Sequence, residues 1–230
     1  MLMTDPRIIV AIDTFDLNRA HAILDQLDPD LCMIKIGSVV FNAFGKSFLQ
    51  HVSSQGFKIF LDLKLHDIPN TVHETILSFS DCKIDMLTVH ISGGEEMLRK
   101  AMLAGKFINT KVIGVSILTS LEEEDSLALF DNKLEDQISN LFKIAVKVNL
   151  DGIVCSPHEL KIANTILGSP LVKITPGIRD IQAKDDQART MSAKEAIERG
   201  SSFLVIGRPI TQAEDITRAL QDFNHSINEQ

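Results

Sequence analysis

Asp62 and Lys64 stand two residues apart inside IFLDLKLHDIPNT (59–71), and Asp67 follows three residues later. In an extended segment, side chains alternate between faces. Phe60, Asp62 and Lys64 then share one face, and Leu61, Leu63 and Leu65 share the other. That spacing sets a carboxylate about 7 Å from an ammonium. Charged groups so placed, with a further lysine on the preceding strand, suggest an array kept for chemistry. The same two residues could instead form a structural ion pair, although such pairs often gain little over apolar replacements. Lys35 raises a similar question inside CMIKI (32–36), because lysine is almost never fully buried unpaired. Asp13 closes VAID (10–13), where it could either line a site or cap the helix that starts near Asp16.

The elements that must hold these residues recur along the whole chain. Short apolar, β-branched runs cover 8–12, 32–36, 58–63, 86–91, 112–118, 152–155, 171–175 and 203–206. Between them lie stretches of helical period, such as Leu134, Ile138, Leu141, Ile144, Ala145 and Val148. Ser156-Pro157-His158-Glu159 and Ser192-Ala193-Lys194-Glu195 have the form of helix-opening capping boxes. Apolar strands alternating with amphipathic helices indicate a parallel sheet covered by helices. Eight such units in 230 residues predict an α/β TIM (β/α)8 barrel, with residues 1–230 as a single domain. A doubly wound open sheet is the alternative, but its first turn is usually rich in glycine, and AIDTFDLN contains none.

A barrel builds its active site from the carboxyl ends of its strands. Those ends carry Asp13, Lys35, Asp62 with Lys64, His90, Thr119-Ser120, Ser156, Thr175-Pro176-Gly177-Ile178-Arg179 and Gly207-Arg208-Pro209. The loops after the seventh and eighth strands form a common phosphate site in such folds. There Gly207 would allow close backbone approach, and Arg208 would supply a charge-assisted contact.

Composition narrows the partners. A net charge of −8 argues against a nucleic-acid surface, and the absence of Trp and Tyr removes the usual stacking platforms. No run approaches the roughly 18 apolar residues of a membrane helix, and MLMTDPRIIVAID lacks a signal pattern. Cys32, Cys82 and Cys155 are read as buried thiols in a reducing compartment, and no Cys/His spacing suggests zinc. The expectation is a cytoplasmic protein with no membrane or nucleic-acid partner.

The residues resemble one family, orotidine 5'-phosphate decarboxylase. FLDLKLHDIPNT (60–71) is similar to its Asp-x-Lys-x-x-Asp signature followed by Ile-Pro-Asn-Thr. TPGIR (175–179), DQAR (186–189) and VIGRPIT (205–211) resemble its substrate and phosphate segments, in the expected order. VAID, IKIG (34–37) and ILTS (117–120) match further strand ends, so the resemblance runs from Val10 to about Ile216. It implies decarboxylation of the nucleotide orotidine 5'-phosphate to uridine 5'-phosphate without cofactor or metal. Lys64 would be the proton donor, with Asp62, Lys35 and Asp67 completing an alternating array. Asp13 and Lys35 would reach the ribose, and Thr119 and Pro176 would meet the pyrimidine. Gln187, Gly207 and Arg208 would hold the phosphate, with Arg179 nearby; Gln182 is the other glutamine of that loop. Asp67, Ile68 and Thr71 would come from the second subunit of a homodimer with shared sites. A related Mg2+-dependent barrel acting on sugar phosphates would need a further carboxylate beside the array. A non-catalytic phosphate-binding barrel would be missing a Lys or an Asp.

Overall fold

The computed structural model describes residues 6–168, 171–178 and 191–228. Eight parallel strands close into a barrel in chain order, and the last strand pairs back onto the first. They are β1 (Ile8–Ile12), β2 (Cys32–Gly37), β3 (Ile59–Leu65), β4 (Met86–His90), β5 (Lys111–Val115), β6 (Gly152–Val154), β7 (Val172–Thr175) and β8 (Phe203–Ile206). Helices α1 (Leu17–Leu24), α2 (Ser38–Ser54), α3 (Pro69–Leu77) and α4 (Glu95–Phe107) cover the first half. Helices α5 (Glu123–Phe130), α6 (Leu134–Lys147), α7 (Leu160–Leu167), α8 (Ala193–Glu198), α9 (Arg208–Thr211) and α10 (Ile216–Asn228) cover the second. The TIM-barrel expectation is met, and the open doubly wound sheet is excluded by closure.

Alternation along each strand sorts the apolar residues into two cores. Ile8, Val10, Ile12, Cys32, Ile34, Ile36, Ile59 and Leu61 face the helices. Ile9, Ala11, Met33, Phe60, Met86, Ile113, Ile174 and Val205 fill the barrel interior. Bulky branched side chains pack a barrel of this size solid rather than leaving a pore. The three cysteines are buried free thiols. Burial pushes Cys32 up to about 12 and lifts Cys155 further, so neither is a thiolate near neutral pH.

Two helix-opening motifs act as the sequence implies. The Ser192 hydroxyl accepts from the Glu195 N–H at 3.2 Å, and α8 starts there. The Glu159 carboxylate accepts from the Ser156 N–H at 3.2 Å, opening a single 3-10 turn (Pro157–Glu159) that runs into α7. Asp13 does not cap α1; Asp16 does, accepting from the N–H groups of Asn18 and Arg19. No described helix is long and apolar enough to cross a membrane.

Candidate active site

The interior core ends one pleat below the carboxyl rim, and polar side chains follow at the next inward position. Lys35 follows Met33, Asp62 follows Phe60, and Thr88 follows Met86. The charged residues therefore stand on an apolar floor. Lys64 Nζ lies 2.7 Å from Asp62 Oδ2, and Lys35 Nζ lies 3.6 Å from the same oxygen. Asp62 and Lys35 are nearly buried, whereas the Lys64 side chain is 36% exposed at the mouth. Burial alone would push the Asp62 carboxyl up, but Lys35, Lys64 and the hydrogen bonds from Lys64 and Thr88 hold it below the usual carboxylate value. Among the described residues, Asp62 is the one carboxylate within 4.0 Å of either ammonium.

Simple alternation does not explain how Lys64 reaches Asp62. The β3–β4 register jumps from Leu61↔Leu87 to Leu65↔Val89, so four steps on β3 span two on β4. This irregularity places Lys64 at φ +51°, a left-handed conformation. For a side chain with a Cβ that costs about 1–2 kcal/mol, and it persists only where the surroundings over-determine it. The leucine face keeps its predicted direction, since Leu61, Leu63 and Leu65 all pack on the helix-side core.

Asp13 approaches the array from β1. A Cβ built on Gly37 would lie 3.1 Å from Lys35 Nζ and 4.0 Å from Asp13 Oδ1, so both groups flank the space that this glycine leaves. His90 packs against His66 with ring centroids 5.4 Å apart. Burial, then His66 and Lys64, lower the His90 pKa against an opposing effect of Asp62, so His90 is neutral near pH 7.

Asp67 and Ile68 lie between β3 and α3, and Thr71 in the first turn of α3. Asp67 Oδ1 accepts from the Ile68 N–H at 2.7 Å, and Ile68 is 67% exposed. Thr119 is exposed in the loop after β5, and Pro176 is half-buried after β7. Gly207 leads into α9, whose first residue is the exposed Arg208. Among the described residues, a Cβ at Gly207 would meet only Ala11, at 3.7 Å from its Cβ. Arg179, Gln187 and Gln182 lie outside the described residues.

Sequence reasoning missed Thr88. Its hydroxyl oxygen accepts from the Lys64 N–H at 2.8 Å, and its O–H donates to Asp62 Oδ1 at 3.0 Å. The available signal was the alternation Met86, Thr88, His90 on one face of β4, which places a hydroxyl beside Asp62 once the strands are paired.

Comparison with known proteins identifies the family. The sequence model of the family described as "Orotidine 5'-phosphate decarboxylase / HUMPS family" matches residues 6–223. An orotidine 5'-phosphate decarboxylase of Saccharophagus degradans is 39% identical over 225 residues, covering 96% of this chain and 94% of that protein. One from Actinobacillus pleuropneumoniae serotype 5b is 41% identical over 230 residues, covering 97% and 99%. The crystal structure of orotidine 5'-phosphate decarboxylase from Lactobacillus acidophilus superposes with a TM-score of 0.85 at 34% identity, covering 98% of this chain and all of that one.

Proposed function

The chain belongs to the orotidine 5'-phosphate decarboxylase / HUMPS family, and from that premise we propose how its residues divide the work of the reaction. The activity is decarboxylation of orotidine 5'-phosphate to uridine 5'-phosphate and CO2 in pyrimidine nucleotide synthesis. The bond from ring C6 to its carboxylate breaks, CO2 leaves, and the electron pair stays on C6. Lys64 Nζ then delivers a proton to C6 and regains one from solvent. A fixed ammonium beside C6 stabilises the developing carbanion as well as protonating it. Asp62 holds Lys64 in place, and Lys35 balances the carboxylate from the other side. The 2.7 Å Lys64–Asp62 pair above an apolar floor is the observation that carries this reading.

Substrate recognition is divided between the rim and the loops. Asp13 and Lys35 bind the ribose, Thr119 and Pro176 meet the pyrimidine, and Gly207 and Arg208 hold the phosphate with Gln187 and Arg179. Binding energy from the remote phosphate serves to position the reacting ring. The chemistry needs no cofactor or metal, because the lysine stands in for an electron sink. The chain works as one domain in the cytoplasm, as a homodimer with shared sites. Asp67 bonded to the neighbouring Ile68 N–H and the exposed Ile68 side chain support a rim that completes the partner's site rather than its own.

The test is loss of the orotate ultraviolet absorption with purified chain and excess chelator. Turnover under those conditions is expected; turnover only after Mg2+ addition would overturn the cofactor-free reading. Mixing Lys64→Ala and Asp67→Ala chains should restore part of the activity once subunits exchange. No recovery after verified exchange would place Asp67 within its own chain's site.

A further inference from the structure

We propose that Thr88 is the positioning residue that sets the geometry of the Asp62–Lys64 pair, an inference that rests on Lys64 being the proton donor. Thr88 is fully buried on β4, facing the irregular stretch of β3. Because β3 carries extra residues there, the Lys64 N–H falls outside the regular ladder, and the Thr88 hydroxyl oxygen receives it at 2.8 Å. A backbone N–H can only donate, so the hydroxyl's own hydrogen is left for Asp62 Oδ1, 3.0 Å away. One atom therefore ties down the backbone of the lysine and one oxygen of the carboxylate.

The consequence is a division of the carboxylate. Oδ1 is held by Thr88, and Oδ2 faces both ammoniums, at 2.7 Å for Lys64 and 3.6 Å for Lys35. Without the hydroxyl, the carboxylate is free to rotate about its last bond. The left-handed Lys64 backbone also loses the acceptor that holds it at φ +51°. Both changes move the ammonium relative to C6, and misplacement of about 1 Å can cost on the order of 100-fold in rate. Among the described residues, the Thr88 hydroxyl bonds to Lys64 and Asp62, the groups of the chemical step, so its influence falls there rather than on binding.

The experiment compares Thr88→Val, which keeps the shape without the hydroxyl, with Thr88→Ser, which keeps the hydroxyl. Rates are expressed per uridine 5'-phosphate-binding site, so misfolded protein does not count. Thr88→Val should lower kcat by about 10- to 100-fold with KM and uridine 5'-phosphate affinity within about threefold. Thr88→Ser should stay within about threefold of the parent in all three. A Thr88→Val enzyme with parental kcat overturns the proposal, as does a Thr88→Ser enzyme that loses as much as Thr88→Val. If Thr88→Val yields no folded protein, Thr88→Ala takes its place with the same expected loss, and parental kcat there is equally fatal. Lys64→Ala is measured alongside: activity surviving in that variant would overturn the role of Lys64 itself. An inactive Lys64→Ala beside a fully active Thr88→Val would remove only the inference about Thr88.

Discussion

β1 and β3 begin alike and end differently. All five residues of β1 are buried, and its register with β2 runs unbroken from Ile8↔Cys32 to Ile12↔Ile36. β3 starts the same way with Ile59, Phe60 and Leu61 buried, but its last four residues are only partly buried and its pairing with β4 slips. The regular strand contributes packing on both faces. The irregular one carries Asp62 and Lys64, and it holds the lysine in a conformation that most residues avoid. The contrast shows that this barrel separates packing from charge along single strands. Amino-terminal halves are core, and carboxyl ends tolerate strain and charge because hydrogen bonds from neighbouring strands hold them there.

Substitutions at the two strands should separate accordingly, and the largest effect belongs to Lys64. Lys64→Ala should lower kcat by at least about 1,000-fold, combining loss of the proton donor and of the fixed charge, with uridine 5'-phosphate still bound. A decarboxylation assay and a binding titration on the same preparation check this. Lys64→Gly should be as inactive but should unfold about 1 kcal/mol later in urea than Lys64→Ala, because glycine accepts φ +51°. Equal stability of the two would break the claim that β3 stores strain.

Asp62→Asn comes next, with an expected fall in kcat of about 100-fold as Lys64 loses its anchor. The Asp62 carboxyl titrates below its ordinary value in the fold, so its contribution to stability is complete above about pH 4 and fades as pH falls through the folded value. Urea midpoints measured from pH 6 to pH 3 should therefore fall less steeply for Asp62→Asn than for the parent. An unchanged slope would show that the array does not stabilise the carboxylate.

Gly37→Ala tests the strand between the two. Its φ of −91° is open to alanine, but the new Cβ would press on Lys35 Nζ at 3.1 Å. A loss of about tenfold in kcat/KM with little change in stability is expected, since the far end of a lysine can shift. Smallest of all in activity is Ile9→Val on β1, which should cost about 1 kcal/mol of stability and leave kcat unchanged. A kcat effect there would mean that the interior core transmits to the rim.

Much of this was legible from local pattern. Strand limits for β1 and β8 follow directly from the apolar runs, because a strand buried on both faces leaves a continuous signal. Asp62, Lys64 and Lys35 stood out because ionised groups in such runs demand partners. β3 was expected to end at Leu63 and instead runs to Leu65, since an irregular pairing carries no mark in the residues that form it. Asp13 could be read two ways until Asp16 was found capping α1.

What the sequence by itself determined was the architecture and the inventory: eight strands in order, an apolar floor, and charges two residues beyond it. These depend on period and residue type, which are properties of neighbours along the chain. Tertiary structure alone decided the 2.7 Å contact between Asp62 and Lys64 and the left-handed turn of the lysine. It also decided the part of Thr88, which lies 24 residues from one bonded group and 26 from the other. Those features arise from the register between strands, and register is settled only when the whole barrel closes and every inward side chain finds its space.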